Sequence, residues 1–442
     1  MKVSPTVIGL LSFVVVSQAT ISRVNRAAEH SLESEWNQED LGQIPFGDHD
    51  TPHTRQRHDI LLQEVEQAVT IGTISIGTPP QTFRVQLDLN SPRLSIPLNT
   101  CEFCGSSEKP FKNDQSSTYE AIKTSFESGR PLPRVISEDV VHLTEDLILP
   151  QQPFDNRNPS GYFTEVYGTI GLSYNHQESG PTPVLTRLKE LGLLDENVLG
   201  LYVGYLNDKT SSDQGFSGEL TIGGLNPNRY RGGHELHWHS TVHPGRWAIG
   251  LDKIILDWEF QKRKDRSDEE AIEIESDYML RTADDNHNAP RSRRIIRMDQ
   301  RLNNGELAKP IPAYLKPDSL YTSLPSRAAR ELNEALNFTA FSETGYGVLG
   351  CREKLDWEEL PYLGYSIGGS IYWFEPHEYL IRNARHLPDK CHSLIDGEAS
   401  QGLEGKSDEG AVLGTTFMGK FFTAFDFENH QVGFALAAEP DE

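Results

Sequence analysis

The chain has 442 residues, with 41 Lys+Arg against 65 Asp+Glu and a net charge of −24 at pH 7. That length can bury more than one core, and the acidic balance argues against nucleic acid and anionic membranes as partners. Residues 2–19 open on Lys2, run through the largely apolar Val7–Val16 and end in Ser17-Gln18-Ala19. This is the form of a secretory signal peptide with cleavage after Ala19. No other apolar run reaches the length of a membrane span, and the polar C-terminus carries no lipid-anchor signal, so no membrane anchor is expected.

Residues 20–65 are polar and charged apart from Trp36 and Ile60-Leu61-Leu62. Their composition predicts a pro-segment or a disordered arm, with Arg55-Gln56-Arg57 as a processing point. From Ala68 to about Arg231, short alternating apolar runs among Gly, Ser and Thr predict an all-β region. Gly77-Thr78-Pro79-Pro80 is turn chemistry, and Phe83, Val85 and Leu87 then alternate with Arg84 and Gln86 as a half-buried strand. That strand delivers Asp88 to its end. Thr182–Leu191 reads as a helix with Leu185, Leu188 and Leu191 on one face.

A second set of β signals begins near Ser240. Residues 261–308 form a charge block expected to be a disordered surface insertion. Within it Arg291-Ser292-Arg293-Arg294 has the pattern of a furin- or kexin-type cleavage site, readable also as an uncut basic patch. Residues 326–337 carry helical spacing, and Asn337-Phe338-Thr339 is a glycosylation sequon. Four cysteines in a secreted chain allow three pairings. Cys101 and Cys104 stand close enough for a small local loop, which leaves Cys351 with Cys391. His234, His237, His239 and His243 cluster in sequence, but no metal or other cofactor is expected of them.

The run Ile76–Phe83 followed by Asp88-Leu89-Asn90-Ser91 resembles the first active-site region of pepsin-like aspartic proteases, peptidase family A1. Phe111–Tyr119, Gly218–Gly224, Leu360–Gly369 and Phe425–Ala435 resemble later segments of the same family, so the likeness runs from about residue 66 to 437 around the insertion. It implies a mostly β, bilobal acid-protease fold with a central cleft. The N-terminal lobe would span 66–239 and the C-terminal lobe 240–438. In this family each lobe gives one Asp-Thr-Gly-Ser or Asp-Thr-Gly-Thr loop to the cleft, and an internal repeat is visible here. Asp88 stands nine residues before Pro97, and Lys316 stands nine before Pro325. Lys316-Pro317-Asp318-Ser319 therefore falls where the second aspartate loop belongs.

The resemblance makes that substitution consequential. Two carboxylates about 3 Å apart share one proton because both cannot ionise together. One activates water as a base while the other, protonated, polarises the peptide carbonyl. With Lys316 at the second position, Asp88 is retained without a competent partner, and an ammonium beside it would hold it ionised. Leu89 and Pro317 cannot make the bonds that the family threonines make across the two-fold axis, and Asn90 and Asp318 replace glycines. Phe126 falls where the flap tyrosine is expected. The leading expectation is a secreted, monomeric pseudopeptidase, extracellular or vacuolar, that holds a peptide or protein in its cleft. The alternatives are an active endopeptidase with an altered dyad and an enzyme-inhibitor scaffold.

Overall fold

A computed structural model describes residues 57–65, 69–99, 110–126, 133–156, 166–174, 181–204, 218–231, 235–243, 245–260, 293–300, 309–337, 339–340, 347–349, 359–384, 387–397 and 410–438. The chain divides between Thr54 and Arg55 into two units, and all described residues belong to the second. The signal-peptide reading of residues 1–19 lies outside the described residues.

The first part of the chain supplies β1 (His58–Val65), β2 (Val69–Ile76), β3 (Gln81–Asp88), β4 (Leu94–Ser95), β5 (Glu120–Phe126), β6 (Pro133–His142), β7 (Ile148–Asp155), β8 (Gly168–Gly171), β9 (Val198–Val203) and β10 (Gly218–Ile222). There follow β11 (His237–Ser240), β12 (Ala248–Asp257), β13 (Arg293–Arg297), β14 (Asp299–Gln300), β15 (Lys309–Leu315) and β16 (Thr322–Ser323). The last part adds β17 (Thr339–Ala340), β18 (Gly347–Leu349), β19 (Tyr362–Ile367), β20 (Ser370–Phe374), β21 (Leu380–Ala384), β22 (Leu387–Ser393), β23 (Ile395–Asp396), β24 (Ala411–Leu413), β25 (Phe421–Asp426) and β26 (Gln431–Leu436). Among the described residues these form sheets of thirteen, nine and four strands.

The alternation read in β3 is present: Phe83, Val85 and Leu87 are each at most 1% exposed, and Thr82, Arg84 and Gln86 are not buried. Period 2 puts alternate side chains on opposite faces of the sheet. The first and last of the described strands, β1 and β26, lie in one run of the largest sheet, β11-β26-β25-β9-β10-β1. There β25 pairs with β9 through Phe425↔Leu199, so strands of both halves share one ladder. Trp247 is fully buried under this junction and donates from Nε1 to the Leu172 carbonyl at 2.7 Å.

Two boundaries differ from those the sequence predicts. The arm assigned to 20–65 contributes its last eight residues as β1, which pairs with β10 from His58↔Ile222 to Leu62↔Gly218 and then turns onto β2. Ile60 and Leu62 are buried while Asp59, Leu61 and Gln63 are exposed, so a three-residue apolar cluster is in fact one face of a strand. Likewise the insertion assigned to 261–308 contains β13 and β14. The charge density around them masks two apolar anchors, Ile296 at 2% and Met298 at 3% exposure. Residues 261–292 and 301–308 lie outside the described residues.

The predicted helices occupy Val184–Glu190 and Ser326–Ala335. Leu185 and Leu188 are buried, but Leu191 is the C-cap and 37% exposed, because the helix stops before Gly192 at φ +60°. Cys391 is fully buried and disulfide-bonded. Cys101, Cys104 and Cys351 lie outside the described residues, and so does the pairing.

Candidate active site between two mirrored loops

Two strand arrangements of the same design face each other. In the first, β3 runs parallel to β8, with Leu87 opposite Ile170 and Asp88 opposite Gly171. β4 returns antiparallel to β8 and lies parallel to β7 through Ser95↔Asp155. In the second, β15 runs parallel to β24 with Leu315 opposite Leu413. β16 returns antiparallel to β24 and lies parallel to β23 through Ser323↔Asp396. One step beyond Leu315, Lys316 donates its amide to the Leu413 carbonyl at 3.0 Å. Lys316 thus holds, in the second loop, the place that Asp88 holds in the first.

Both loops need a glycine where the strands cross. A Cβ on Gly171 would lie 2.3 Å from the Arg93 nitrogen and 2.4 Å from the Ser91 oxygen. A Cβ on Gly414 would lie 2.3 Å from the Ser319 oxygen and 2.4 Å from the Tyr321 oxygen. Side chains are excluded because backbone fills the space.

The polar groups then diverge. Asp88 Oδ1 accepts from the Asn90 amide at 2.8 Å and the Ser91 amide at 3.1 Å, so the carboxylate caps its own loop. The Lys316 side chain has no acceptor to offer, and the amide of Ser319 instead bonds the Lys316 carbonyl at 3.2 Å. The Lys316 ammonium lies 3.7 Å from Asp318 Oδ2, and the same oxygen accepts from Gln86 Nε2 at 2.9 Å. Among the described residues Lys316 is thus paired with Asp318. Burial raises the Asp318 carboxyl above its ordinary range, the Lys316 ammonium offsets part of this, and the negative charge of Asp88 adds to the rise. Ser91 Oγ accepts from the Arg93 amide at 3.3 Å, and Ser319 Oγ donates to the Tyr321 carbonyl at 3.3 Å.

Leu89 is fully buried and Pro317 is buried too, both spent on packing. The cross-lobe hydrogen bonds come from other residues. Thr70 Oγ1 donates to the Pro317 carbonyl at 2.8 Å, Asn90 Nδ2 to the Leu315 carbonyl at 3.0 Å, and Gln86 Nε2 to Asp318. Each of these bonds runs from a first-lobe donor into the Leu315–Asp318 loop. Thr70 and Gln86 do not emerge from sequence reasoning. Gln86 had a readable signal, since period 2 places it on the same face of β3 as Asp88; Thr70 had none.

Phe126 is the last residue of β5, opposite Pro133 on β6. Its side chain, and residues 127–132 that join the two strands, lie outside the described residues. Of the histidines, His237 is exposed while His239 is 8% exposed, with Nε2 2.6 Å from the Tyr372 hydroxyl. Burial, aided by the charge of His237, lowers the His239 pKa to about 4. Its imidazole is committed to packing, and among the described residues no group of His, Cys, Asp and Glu could hold a metal ion. His234 lies outside the described residues.

The mirrored loops and the sheet that joins their lobes define a class of two-lobed β proteins with one cleft element per lobe. The profile of the eukaryotic aspartyl protease family matches residues 70–269 and 315–437, well over half of the chain, and the chain belongs to that family. Its fold is the mostly β, bilobal fold of pepsin-like proteases. Pepsin A-5 from Mus musculus is 27% identical over 380 residues, covering 84% of this chain and 81% of the mouse protein. Renin from Ovis aries is 25% identical over 425 residues, 92% of this chain and 88% of the sheep protein. Vacuolar protease A from Aspergillus fumigatus is 25% identical over 393 residues, 86% of this chain and 82% of the fungal protein.

Proposed function

We propose that this chain is a pseudopeptidase that holds a peptide or protein segment between its lobes without cleaving it. One observation carries the reading: the place that mirrors Asp88 is occupied by Lys316, whose ammonium is paired with Asp318. No second carboxylate stands at the symmetric position to share a proton with Asp88, and a shared proton is what lets one group act as base while the other acts as acid. The ligand is a peptide because the family's cleft binds peptides, and the chain acts as a monomer in an extracellular or vacuolar compartment. The signal-like residues 1–19, the buried disulfide-bonded Cys391 and the exposed Asn337 of the sequon support that location. No helix among the described residues is long and apolar enough to cross a membrane.

A specific observation favours a second reading, an endopeptidase with an altered dyad. Asp318 is a second carboxylate within electrostatic reach of Asp88, and its raised pKa would suit a proton donor. Against it, Oδ2 of Asp318 is already engaged by Gln86 and Lys316. An acid-pH peptide-cleavage assay with a transition-state-mimicking inhibitor separates the two. The wild type is expected to show no inhibitable cleavage, and Lys316→Asp is expected to raise cleavage on the order of 100-fold above that background. Inhibitable wild-type cleavage lost in both Asp88→Asn and Asp318→Asn would replace the first reading with the second.

A further inference from the structure

The basic run Arg291-Ser292-Arg293-Arg294 presents, in sequence, the pattern read by endopeptidases specific for paired basic residues, with cleavage at Arg294–Ile295. Such enzymes take their substrate as an extended, unpaired segment and place the arginine side chains in acidic pockets. Sites of nicking are accordingly mobile loops. The fold puts this bond elsewhere. β13 pairs antiparallel with β12 through Asp257↔Arg293, Leu256↔Arg294, Ile255↔Ile295 and Ile254↔Ile296, so the bond lies inside a ladder.

Arg293 is also withheld. Its Nε and Nη2 lie 2.8 and 2.7 Å from Oδ2 of Asp257, whose side chain is fully buried. The other carboxylate oxygen accepts from the Glu259 amide at 3.0 Å, which fixes the acid in place. Downstream, buried Ile296 and Met298 anchor the strand, and the Met298 amide bonds the Asp252 carbonyl at 2.9 Å. Arg294 and Ile295 are themselves exposed. Burial of the bond is therefore not what protects it; the ladder and the commitment of the neighbouring arginine are.

We propose that Arg294–Ile295 is a latent processing site, closed in the folded chain by the Arg293–Asp257 ion pair and the β12–β13 ladder, and opened only when β13 leaves β12. Cleavage adds one water across the bond between the Arg294 carbonyl carbon and the Ile295 nitrogen. It leaves a carboxylate on Arg294 and an amine on Ile295, with a separate endopeptidase specific for basic pairs as catalyst. Removing one partner of a buried ion pair leaves the other uncompensated, and cleavage of a transiently opened segment follows the population of the open form.

The full-length chain is treated with a kexin-type endopeptidase and new N-termini are read by mass spectrometry, beside a synthetic peptide of residues 288–300. The folded wild type is expected to yield no chain beginning at Ile295 while the peptide is cut. Asp257→Asn is expected to release that terminus at least about tenfold faster than wild type. Should Asp257→Asn fail to fold, wild type in sub-denaturing urea serves instead, with cleavage rising before the global transition. Release of the Ile295 terminus from native wild type at the peptide's rate overturns the proposal. So does failure to release it from either the folded variant or urea-treated wild type, since the site would then not be latent but absent.

Discussion

The Asp88 loop and the Lys316 loop are one construction used twice with different contents. Each has a parallel strand pair, a glycine whose Cβ would strike backbone, and a short return strand. The first loop closes on a side chain, since the Asp88 carboxylate collects two amides. The second closes on the main chain, since Lys316 offers its carbonyl where Asp88 offers an oxygen of its side chain. The scaffold thus depends on backbone geometry that many residues can satisfy, whereas the chemistry depends on one side chain per loop. A different side chain at one position need not disturb the scaffold, and the Asp88 carboxylate serves to hold its own loop.

The sharpest way to break this comparison is to attack what the loops share. Gly171→Ala and Gly414→Ala are each expected to cost about 4 kcal/mol, because a Cβ at 2.3 Å from backbone can be relieved only by moving a strand. Urea denaturation of the two variants should give similar losses. A large cost at one glycine and a trivial one at the other would show that the two scaffolds are not equivalent.

A second expectation separates both loops from the joint between the halves. His239 on β11 has its pKa lowered from 6.5 to about 4, so between these values the unfolded chain binds more protons than the folded one. Stability therefore falls as pH drops from 6.5 towards 4, by roughly 3 kcal/mol in all. His239→Gln removes the titration and keeps an acceptor for the Tyr372 hydroxyl. Urea melts at pH 7 and pH 4 should show a flatter acid limb in the variant; an unchanged limb would assign the acid loss to other groups.

The smallest effect tests the divergence itself. Asp88→Ala leaves two loop amides without their carboxylate and is expected to cost about 2 kcal/mol at pH 7. Lys316→Ala removes a partly exposed ion pair at 3.7 Å and is expected to cost about 0.5 kcal/mol. Equal losses in chemical denaturation would mean that Asp88 does not hold its loop as the geometry indicates.

Much of the architecture is legible in the residue pattern because its causes are local. Period-2 burial in β3 and the turn at Gly77–Pro80 need only neighbours in sequence to be read. The placement of Lys316 opposite Asp88 is legible through equal spacing to Pro97 and Pro325, since a loop between paired strands tolerates little change in length. Local reading fails where local composition opposes the tertiary setting. Arg293 looks like part of a solvated charge block, yet its partner Asp257 lies 36 residues away and fully buried.

By itself, then, the sequence determined the β character, the two-fold repeat and the residues that stand in each loop, because these follow from alternation and spacing along the chain. Only the tertiary structure decided which groups meet. The Gln86 bond to Asp318, the carboxylate paired with Lys316, spans 232 residues, and the Asn90 bond to the Leu315 carbonyl spans 225. A hydrogen bond is specified by distance and direction to within a fraction of an ångström, and no regularity of one strand carries that information about another.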